Sequence, residues 1–140
     1  MQRVMFDAYA ILAWLEEEPG VEFVNDLLRR GEAGELWCGV CAINIGEVYY
    51  RTCRKHHAQR ADGHLALLLR LRWEIVPVSN DLVWDAAAIK AQNAISYADA
   101  FFIASANLHA ADLVTNDPEI KRLTTRPSIL WPGAGDTPKE

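Results

Sequence analysis

Short apolar runs alternate with longer segments of helical periodicity along the whole chain. The first run, RVMF at residues 3–6, is typical of a buried strand, and two segments with the apolar spacing of helices follow it. Strands are predicted at 3–6, 35–38, 74–78, 111–115 and 128–130, and helices at 8–15, 21–30, 44–57, 65–71, 81–92 and 97–110, with a short helix from Pro118. This alternation predicts an α/β fold in which helices cover both faces of a parallel sheet.

The composition is that of an ordinary globular domain. The chain has 140 residues, 51% hydrophobic and 24% charged, and this length suits one domain. The formal charge of -5 argues against a protein that coats nucleic acid through bulk charge. No apolar run approaches the roughly 18 residues of a membrane span, and the opening residues do not resemble a signal peptide. We therefore expect a cytoplasmic protein with three reduced cysteines and no membrane contact.

Two aspartates stand where a parallel sheet presents its ligands. Asp7 follows the strand at 3–6, and Asp117 follows the strand at 111–115. Ligands bind at the carboxyl ends of parallel strands, near the point where the strand order reverses. Each aspartate also has a structural explanation. An Asp that precedes a helix caps free N–H groups, and proline, here Pro118 after Asp117, is common at the first helical position.

Two further acids stand near predicted helix starts. Ser96 and Asp99 have the spacing of a capping box, and so do Asn44 and Glu47, although Glu47 could instead pair with Arg51. Asp99 opens the most apolar helix, where an ionised carboxylate is costly to bury unless it is paired, hydrogen-bonded or bound to a metal. Together the four acids favour a Mg²⁺ or Mn²⁺ site that hydrolyses phosphodiesters, with helix capping as the alternative.

The cysteines suggest two other kinds of site. WCGVC has the spacing of a thiol–disulfide oxidoreductase motif, in which Cys38 and Cys41 would react, but the long apolar strand that should precede it is missing. A zinc site would combine them with Cys53 and His56 or His57. Cys41 and Cys53 are separated by a largely helical segment and would lie about 15 to 18 Å apart, which one zinc ion cannot bridge.

Five segments agree in order and spacing with one known family. They are FDAYAILAWL, AINIGEVYYR, EIVPVSNDLVWDAAAIKA, SYADAFFIASA and DLVTNDPEI, and the agreement extends from about Arg3 to Leu130. The chain resembles the PIN domain ribonucleases, and most closely the VapC-type toxins of bacterial toxin–antitoxin pairs. This resemblance implies a PIN-like three-layer α/β fold, with a central parallel sheet of about five strands flanked by helices. The polar, Gly- and Pro-rich composition of the last residues predicts a flexible C-terminal tail at 132–140, which assigns residues 1–131 to the PIN domain.

The resemblance also implies a site and a reaction. The family's four acids correspond to Asp7, Glu47, Asp99 and Asp117. In the family these acids bind one or two Mg²⁺ or Mn²⁺ ions and hold the water that attacks an RNA phosphate, while Thr115 and Asn116 correspond to supporting polar residues. Many members have Ser or Thr two residues after the first Asp, where this chain has Tyr9. The implied function is a metal-dependent ribonuclease that acts as the toxin of a type II toxin–antitoxin system. A catalytically silent PIN-fold binding module is the alternative.

Basic and aromatic residues suggest contacts with substrate and partners. A basic run on the Glu47 helix and just beyond it is expected to bind the RNA backbone, and comprises Arg51, Arg54, Lys55 and Arg60, with His56 and His57 between them. A cationic helix end favoured by the helix dipole is the alternative. The resemblance implies a homodimer and a small antitoxin protein as partners. Trp14, Tyr49 and Tyr50 could contact that antitoxin, although aromatic residues at helical spacing commonly belong to the core.

Overall fold

The computed structural model describes residues 1–133, which form five strands and seven helices. The strands are β1 (Arg3–Phe6), β2 (Trp37–Cys41), β3 (Glu74–Val76), β4 (Asp112–Val114) and β5 (Ile129–Leu130). The helices are α1 (Ala8–Leu15), α2 (Val21–Glu32), α3 (Ala42–Lys55), α4 (Ala58–Arg70), α5 (Asn80–Gln92), α6 (Tyr97–Leu108) and α7 (Pro118–Lys121). Every strand pairs in parallel with its neighbours. The predicted α/β fold with a parallel sheet of five strands is confirmed.

The order of the strands places a crevice beside β1. The strand order is β3-β2-β1-β4-β5. The chain therefore adds β2 and β3 on one side of β1 and then adds β4 and β5 on the other side. Phe6 is aligned with Val114, and β1 and β4 therefore end at the same edge of the sheet. Side chains that follow these two strands meet where open α/β sheets bind their ligands.

Two hydrophobic cores cover the two faces of the sheet. Val4 and Phe6 of β1 pack with residues of the first four helices, whereas Met5 points to the opposite face and packs with α5 and α6. Helix α6 is buried along most of its length, and Phe102 at its centre is fully buried. Its continuous apolar sequence is typical of such a helix. The fold therefore has three layers, with the sheet between two layers of helices.

The WCGVC segment forms β2 itself, so the predicted strand at 35–38 is placed too early. Gly39 interrupts the apolar pattern, and it is needed there because an added Cβ would lie 2.3 Å from the Trp37 ring. Residues three apart on a strand face opposite sides, and Cys38 and Cys41 accordingly lie in different cores. Burial raises the pKa of Cys38 to about 12, which disfavours a reactive thiolate. The oxidoreductase hypothesis is therefore wrong.

Helix α4 begins well before the predicted position at residue 65. Its N-cap is His57, whose Nδ1 accepts a hydrogen bond from Arg60 N at 3.1 Å. Residues 58–60 at the start of α4 are exposed, and Ala61 is the one buried residue before the leucines on which the prediction depends. At the other end of the chain, residues 134–140 of the predicted tail lie outside the described residues. Among the helices of residues 1–133, none is long and apolar enough to cross a membrane.

Candidate metal centre

Asp7 directly follows β1 and is the N-cap of α1. Its Oδ1 accepts a hydrogen bond from Ala10 N at 2.9 Å, and its Oδ2 accepts one from the Thr115 hydroxyl, which lies beyond the end of β4. The Asp7 side chain is buried and lines the crevice between the two strands. Asp7 therefore caps its helix as expected and also contributes a carboxylate to the crevice.

The loop from β4 to α7 brings Asp117 to the same place. The Thr115 hydroxyl donates to Asp7, and its Oγ1 accepts a hydrogen bond from Asp117 N at 3.0 Å. Thr115 therefore links two of the acids. Asp117 is the N-cap of α7 and accepts a hydrogen bond from Glu119 N at 2.9 Å. The predicted supporting residue Asn116 accepts a hydrogen bond from the Lys121 ammonium group, and this contact ties the loop to α7.

Helices α6 and α3 supply the other two predicted acids. Ser96 caps α6 by accepting a hydrogen bond from Asp99 N at 3.1 Å. Asn44 on α3 is buried, and its Nδ2 donates to Ala98 O at 3.3 Å and to Glu47 Oε1 at 3.5 Å. This amide joins the first turns of the two helices, which brings Glu47 and Asp99 to the same cleft.

All four predicted acids line one cleft of about 330 Å³, and Glu119 lines it with them. Asp99, Asp117 and Glu119 each present a carboxylate oxygen within 4.8 Å of the others. In the part of the chain that the structure describes, no other group of three or more His, Cys, Asp or Glu side chains comes this close together. The cysteine and histidine zinc site is thus absent from residues 1–133.

Glu119 is the one acid of this cleft that the sequence analysis does not identify. An acid in the first turn of a helix is ordinarily explained by the helix dipole, and α7 has only four residues. Its apolar periodicity is therefore too short to show which side chains share a face. The available signal is the Asp117-Pro118-Glu119 sequence, which puts two carboxylates at one helix start.

Burial and the neighbouring acids raise the pKa values of Asp7 and Asp99. Burial raises the pKa of Asp7 to about 8, with the charges of Asp99 and Asp117 adding to the effect and hydrogen bonds from Thr115 and Ala10 opposing it. The pKa of Asp99 is raised to about 6 by burial and by the charges of Asp117 and Glu47. Carboxylates gathered in this way repel one another at neutral pH unless protons or a cation compensate their charge.

The donor set fits a divalent cation that prefers oxygen ligands. Mg²⁺ and Mn²⁺ are bound in proteins through carboxylates and waters rather than through thiolates. Asp99, Asp117 and Glu119 are close enough to share one ion, and Asp7 and Glu47 line the same cleft. A cation would also offset the repulsion that raises the pKa values of the buried acids. The residues present therefore fit the metal that the resemblance implies.

Two members of the predicted basic run border the acidic cleft. Arg51 lines it, and its Nε lies 3.5 Å from Glu47 Oε2. The Arg54 guanidinium lies over the ring of Tyr50, 5.0 Å from the ring centroid. Both side chains are exposed. They are therefore positioned to contact an anion that enters the cleft.

The other two members of the basic run approach Glu16 at the end of α1. Lys55 Nζ and Arg60 Nη2 lie 4.0 and 3.8 Å from Glu16 Oε1, and His56 Nε2 lies 3.1 Å from the same oxygen. Burial acts to raise the pKa of Glu16, but the His56 hydrogen bond and the surrounding positive charges outweigh it, and the pKa is lowered. The ionised Glu16 offsets part of the positive charge of Lys55 and Arg60.

The fold and the cleft define the class of protein. It is an α/β domain with carboxylates gathered at the point where the order of a parallel sheet reverses. The chain belongs to the PIN domain family, whose model matches residues 4–125. No curated protein matches the sequence.

Solved structures with the same fold span nearly the whole chain. VapBC2 from Rickettsia felis, bound to a DNA fragment from its promoter, superposes with a TM-score of 0.74 at 18% identity over 93% of this chain and 99% of that chain. DNA-bound VapBC from Salmonella typhimurium has a TM-score of 0.70 at 15% identity over 93% and 98% of the two chains. Mycobacterium tuberculosis VapC20, a toxin that cleaves the sarcin–ricin loop, has a TM-score of 0.68 at 15% identity over 89% and 99%. At these identities the likeness shows a shared fold.

The raised pKa of Asp7 predicts that stability falls as the pH rises. Because the folded chain holds a proton on Asp7 that the unfolded chain releases near pH 4, the stabilisation is complete below pH 4 and is lost as the pH rises to about 8. The raised pKa of Asp99 adds to this loss of stability up to about pH 6. In EDTA, Asp7→Asn should raise the free energy of unfolding at pH 7 by about 1 to 3 kcal/mol and give little gain at pH 4. Urea denaturation at several pH values measures both quantities.

Asp85→Asn is the matched control, because Asp85 is an exposed aspartate on α5 outside the cleft. This variant should follow the wild type at each pH. Equal stability of Asp7→Asn and wild type at pH 7 would contradict the predicted cost of an ionised Asp7 side chain in the cleft.

Proposed function

We propose that this protein is a metal-dependent ribonuclease that hydrolyses RNA phosphodiester bonds. The observation that carries the proposal is the convergence of Asp7, Glu47, Asp99 and Asp117 on one cleft at the switch point of the sheet. Helix capping explains the positions of Asp7 and Asp117, but it does not explain why Glu47 and Asp99 line the same cleft. Membership of the PIN domain family supports nuclease chemistry, and the intact set of acids argues against a silent binding module.

Asp7 and Asp99 would be the principal ligands of a Mg²⁺ or Mn²⁺ ion, with Glu47 and Asp117 completing the acidic ring. The bound cation would supply a water of lowered pKa and would stabilise negative charge on the phosphate and the leaving oxygen. Glu119 is a further candidate ligand because of its distance from Asp99 and Asp117. Asp7 must lose its proton before it can act as a ligand, so metal affinity should rise with pH up to about 8.

The surrounding residues hold the acids and the substrate in position. Thr115 donates to Asp7 and accepts from Asp117 N, which keeps both carboxylates at the end of the sheet. Asn116 supports the same loop through Lys121. Arg51 and Arg54 would bind RNA phosphates beside the cleft, where their positive charge offsets the repulsion between the acids and the RNA backbone. Lys55 and Arg60 would add a weaker attraction, because Glu16 offsets part of their charge.

We further propose that the protein acts in the cytoplasm as the toxin of a type II toxin–antitoxin system. Several structures that share its fold are VapBC complexes, which supports an antitoxin as the protein partner. A groove of about 700 Å³ offers a surface to such a partner, and its lining combines Trp14, Leu15, Val21 and Leu67 with polar and charged side chains. Of the other aromatic residues predicted for this contact, Tyr50 is exposed, whereas the Tyr49 hydroxyl donates to Asp62 at 2.6 Å.

The proposed homodimer would use the outer face of α5. Trp84 on this helix is 64% exposed, and the exposed Ala87 and Ala88 follow it within about one turn. Small side chains beside a large aromatic ring allow another helix to approach closely. A second copy of the chain would remove this apolar surface from water.

Cleavage of RNA by the purified protein tests the proposed activity. A mixed RNA pool should be cut in Mn²⁺ or Mg²⁺ and left intact in EDTA, as measured on denaturing gels. Asp7→Asn and Asp99→Asn should each reduce the cleavage rate by at least about a hundredfold, because removal of a charged ligand typically costs several kcal/mol of transition-state stabilisation. Both variants should remain folded in circular dichroism.

Asp85→Asn again serves as the control and should cut RNA at the wild-type rate. Cleavage that persists in EDTA, or that survives both substitutions in the cleft, would contradict the proposed mechanism. A folded wild-type protein that binds Mn²⁺ but cuts no RNA in the pool would show that general RNA hydrolysis is not its activity.

Substitution of Trp84 tests the dimer. Trp84→Glu places a charge in the proposed interface and should convert the protein to a monomer, as measured by sedimentation velocity over a range of concentrations. Leu69→Glu is the control, since Leu69 is 58% exposed on α4, a helix of the opposite layer. A wild type that sediments as a monomer at every concentration would refute the dimer.

A further inference from the structure

Two tyrosine rings stand exposed at the mouth of the acidic cleft. Tyr9 and Tyr50 both line the cleft, and 41% and 46% of their surfaces are exposed. Within residues 1–133 neither phenol oxygen has a hydrogen-bond partner. By contrast, the hydroxyl of the neighbouring Tyr49 is bonded to Asp62. Neither burial nor a hydrogen bond within the fold therefore explains the two exposed rings.

Tyr9 stands at the boundary between the acidic cleft and a second groove. This groove has a volume of about 500 Å³ and is lined by Tyr9 together with Arg51, Arg54 and Lys55 of α3. Tyr9 and Arg51 line both cavities, so the two cavities adjoin at these side chains. The Trp131 ring packs edge to face against Tyr9, with centroids 6.0 Å apart and ring planes at 84°. The Tyr9 ring is therefore supported from behind although it is partly open to solvent.

Tyr50 combines an aromatic ring with a cation. The Arg54 guanidinium lies over this ring, and such contacts leave the guanidinium N–H groups free to bind phosphate. Arg51 directly follows Tyr50 on α3 and lines the cleft. The mouth of the cleft thus presents the two rings and the Arg51 side chain, and Arg54 lies beside them on the Tyr50 ring.

We propose that Tyr9 and Tyr50 form a base-stacking subsite for single-stranded RNA. Unpaired bases beside the phosphate at the acids would pack on the two rings, while Arg51 and Arg54 bind neighbouring phosphates. Every base has a flat π face, so stacking of this kind tolerates different sequences. An RNA duplex keeps its bases inside the helix, whereas a single-stranded loop can turn them outward. The inference rests on the proposed function because it concerns the substrate of the same cleft.

The charged surroundings favour RNA over a protein segment at these rings. Tyr9 and Tyr50 are bordered by the Arg51 and Arg54 guanidinium groups and by the acids. An apolar protein segment would have to bury these charged groups on binding, which costs free energy unless each is paired. Aromatic rings interleaved with arginine side chains are the arrangement that binds single-stranded nucleic acid without sequence preference.

The binding of two labelled octamers tests the subsite without reference to cleavage. One probe is a fluorescein-labelled uridine octamer, and the other is a chain of eight abasic phosphates with the same charge. Fluorescence anisotropy is measured in EDTA at low ionic strength, where metal-dependent hydrolysis does not consume the probe. Tyr9→Leu and Tyr50→Leu should each raise the Kd for the uridine octamer about five- to thirtyfold and leave the Kd for the abasic chain unchanged.

Conservative and matched variants separate stacking from structural damage. Tyr9→Phe and Tyr50→Phe keep the ring and should bind the uridine octamer within about twofold of the wild type. Tyr97→Leu is the control, because Tyr97 is 43% exposed and packs on Phe101 but does not itself line the cleft. The subsite is refuted if the Leu variants bind the uridine octamer as the wild type does. In that case the rings are free for a protein contact instead.

The outcome also separates this inference from the proposed ribonuclease activity. Tyrosine-dependent binding of the uridine octamer by a wild type that cuts no RNA would uphold the subsite and contradict the nuclease. Cleavage of RNA by a protein whose binding is equal for the uridine and abasic octamers would uphold the nuclease and overturn the subsite.

Discussion

The burial of carboxylates beside other acids is the constraint on which the rest of this structure depends. Asp7 is buried at the end of β1, and its pKa is raised to about 8 by that burial and by the acids opposite it. Two of the acids are held by hydrogen bonds from the backbone, since Ala10 N donates to Asp7 and Glu119 N donates to Asp117. A helix cap and a metal ligand are therefore two roles of the same side chains.

The distribution of positive charge follows from the same constraint. A polyanion can approach an acidic cleft only where cations stand at its edge. Glu16 draws Lys55, His56 and Arg60 toward the end of α1, and these contacts also join α1 to α3 and α4. Arg51 and Arg54 remain at the mouth of the cleft. One part of the basic run thus supports the packing of helices, and the other faces the site.

Local patterns in the sequence predicted the strands and the acids that follow them, but not the contacts between distant elements. Asp7 and Asp117 could be identified because each follows an apolar strand and precedes a helix. The division of the basic run between Glu16 and the cleft could not be predicted, because Glu16 is 40 residues from His56 along the chain. The bounds of the strand in WCGVC could not be predicted, because Gly39 interrupts its apolar pattern. Glu119 was missed because α7 is too short to show periodicity.

The central claim is that these acids form one divalent-cation site at the switch point of the sheet. A crystal structure of the protein grown in Mn²⁺, with anomalous data collected near the manganese absorption edge, tests it most directly. The account predicts an anomalous peak within coordination distance of Asp99 and of at least one carboxylate from Asp7 and Asp117. A well-ordered cleft with no anomalous peak at saturating Mn²⁺, or a peak bound only by residues outside the cleft, would contradict it.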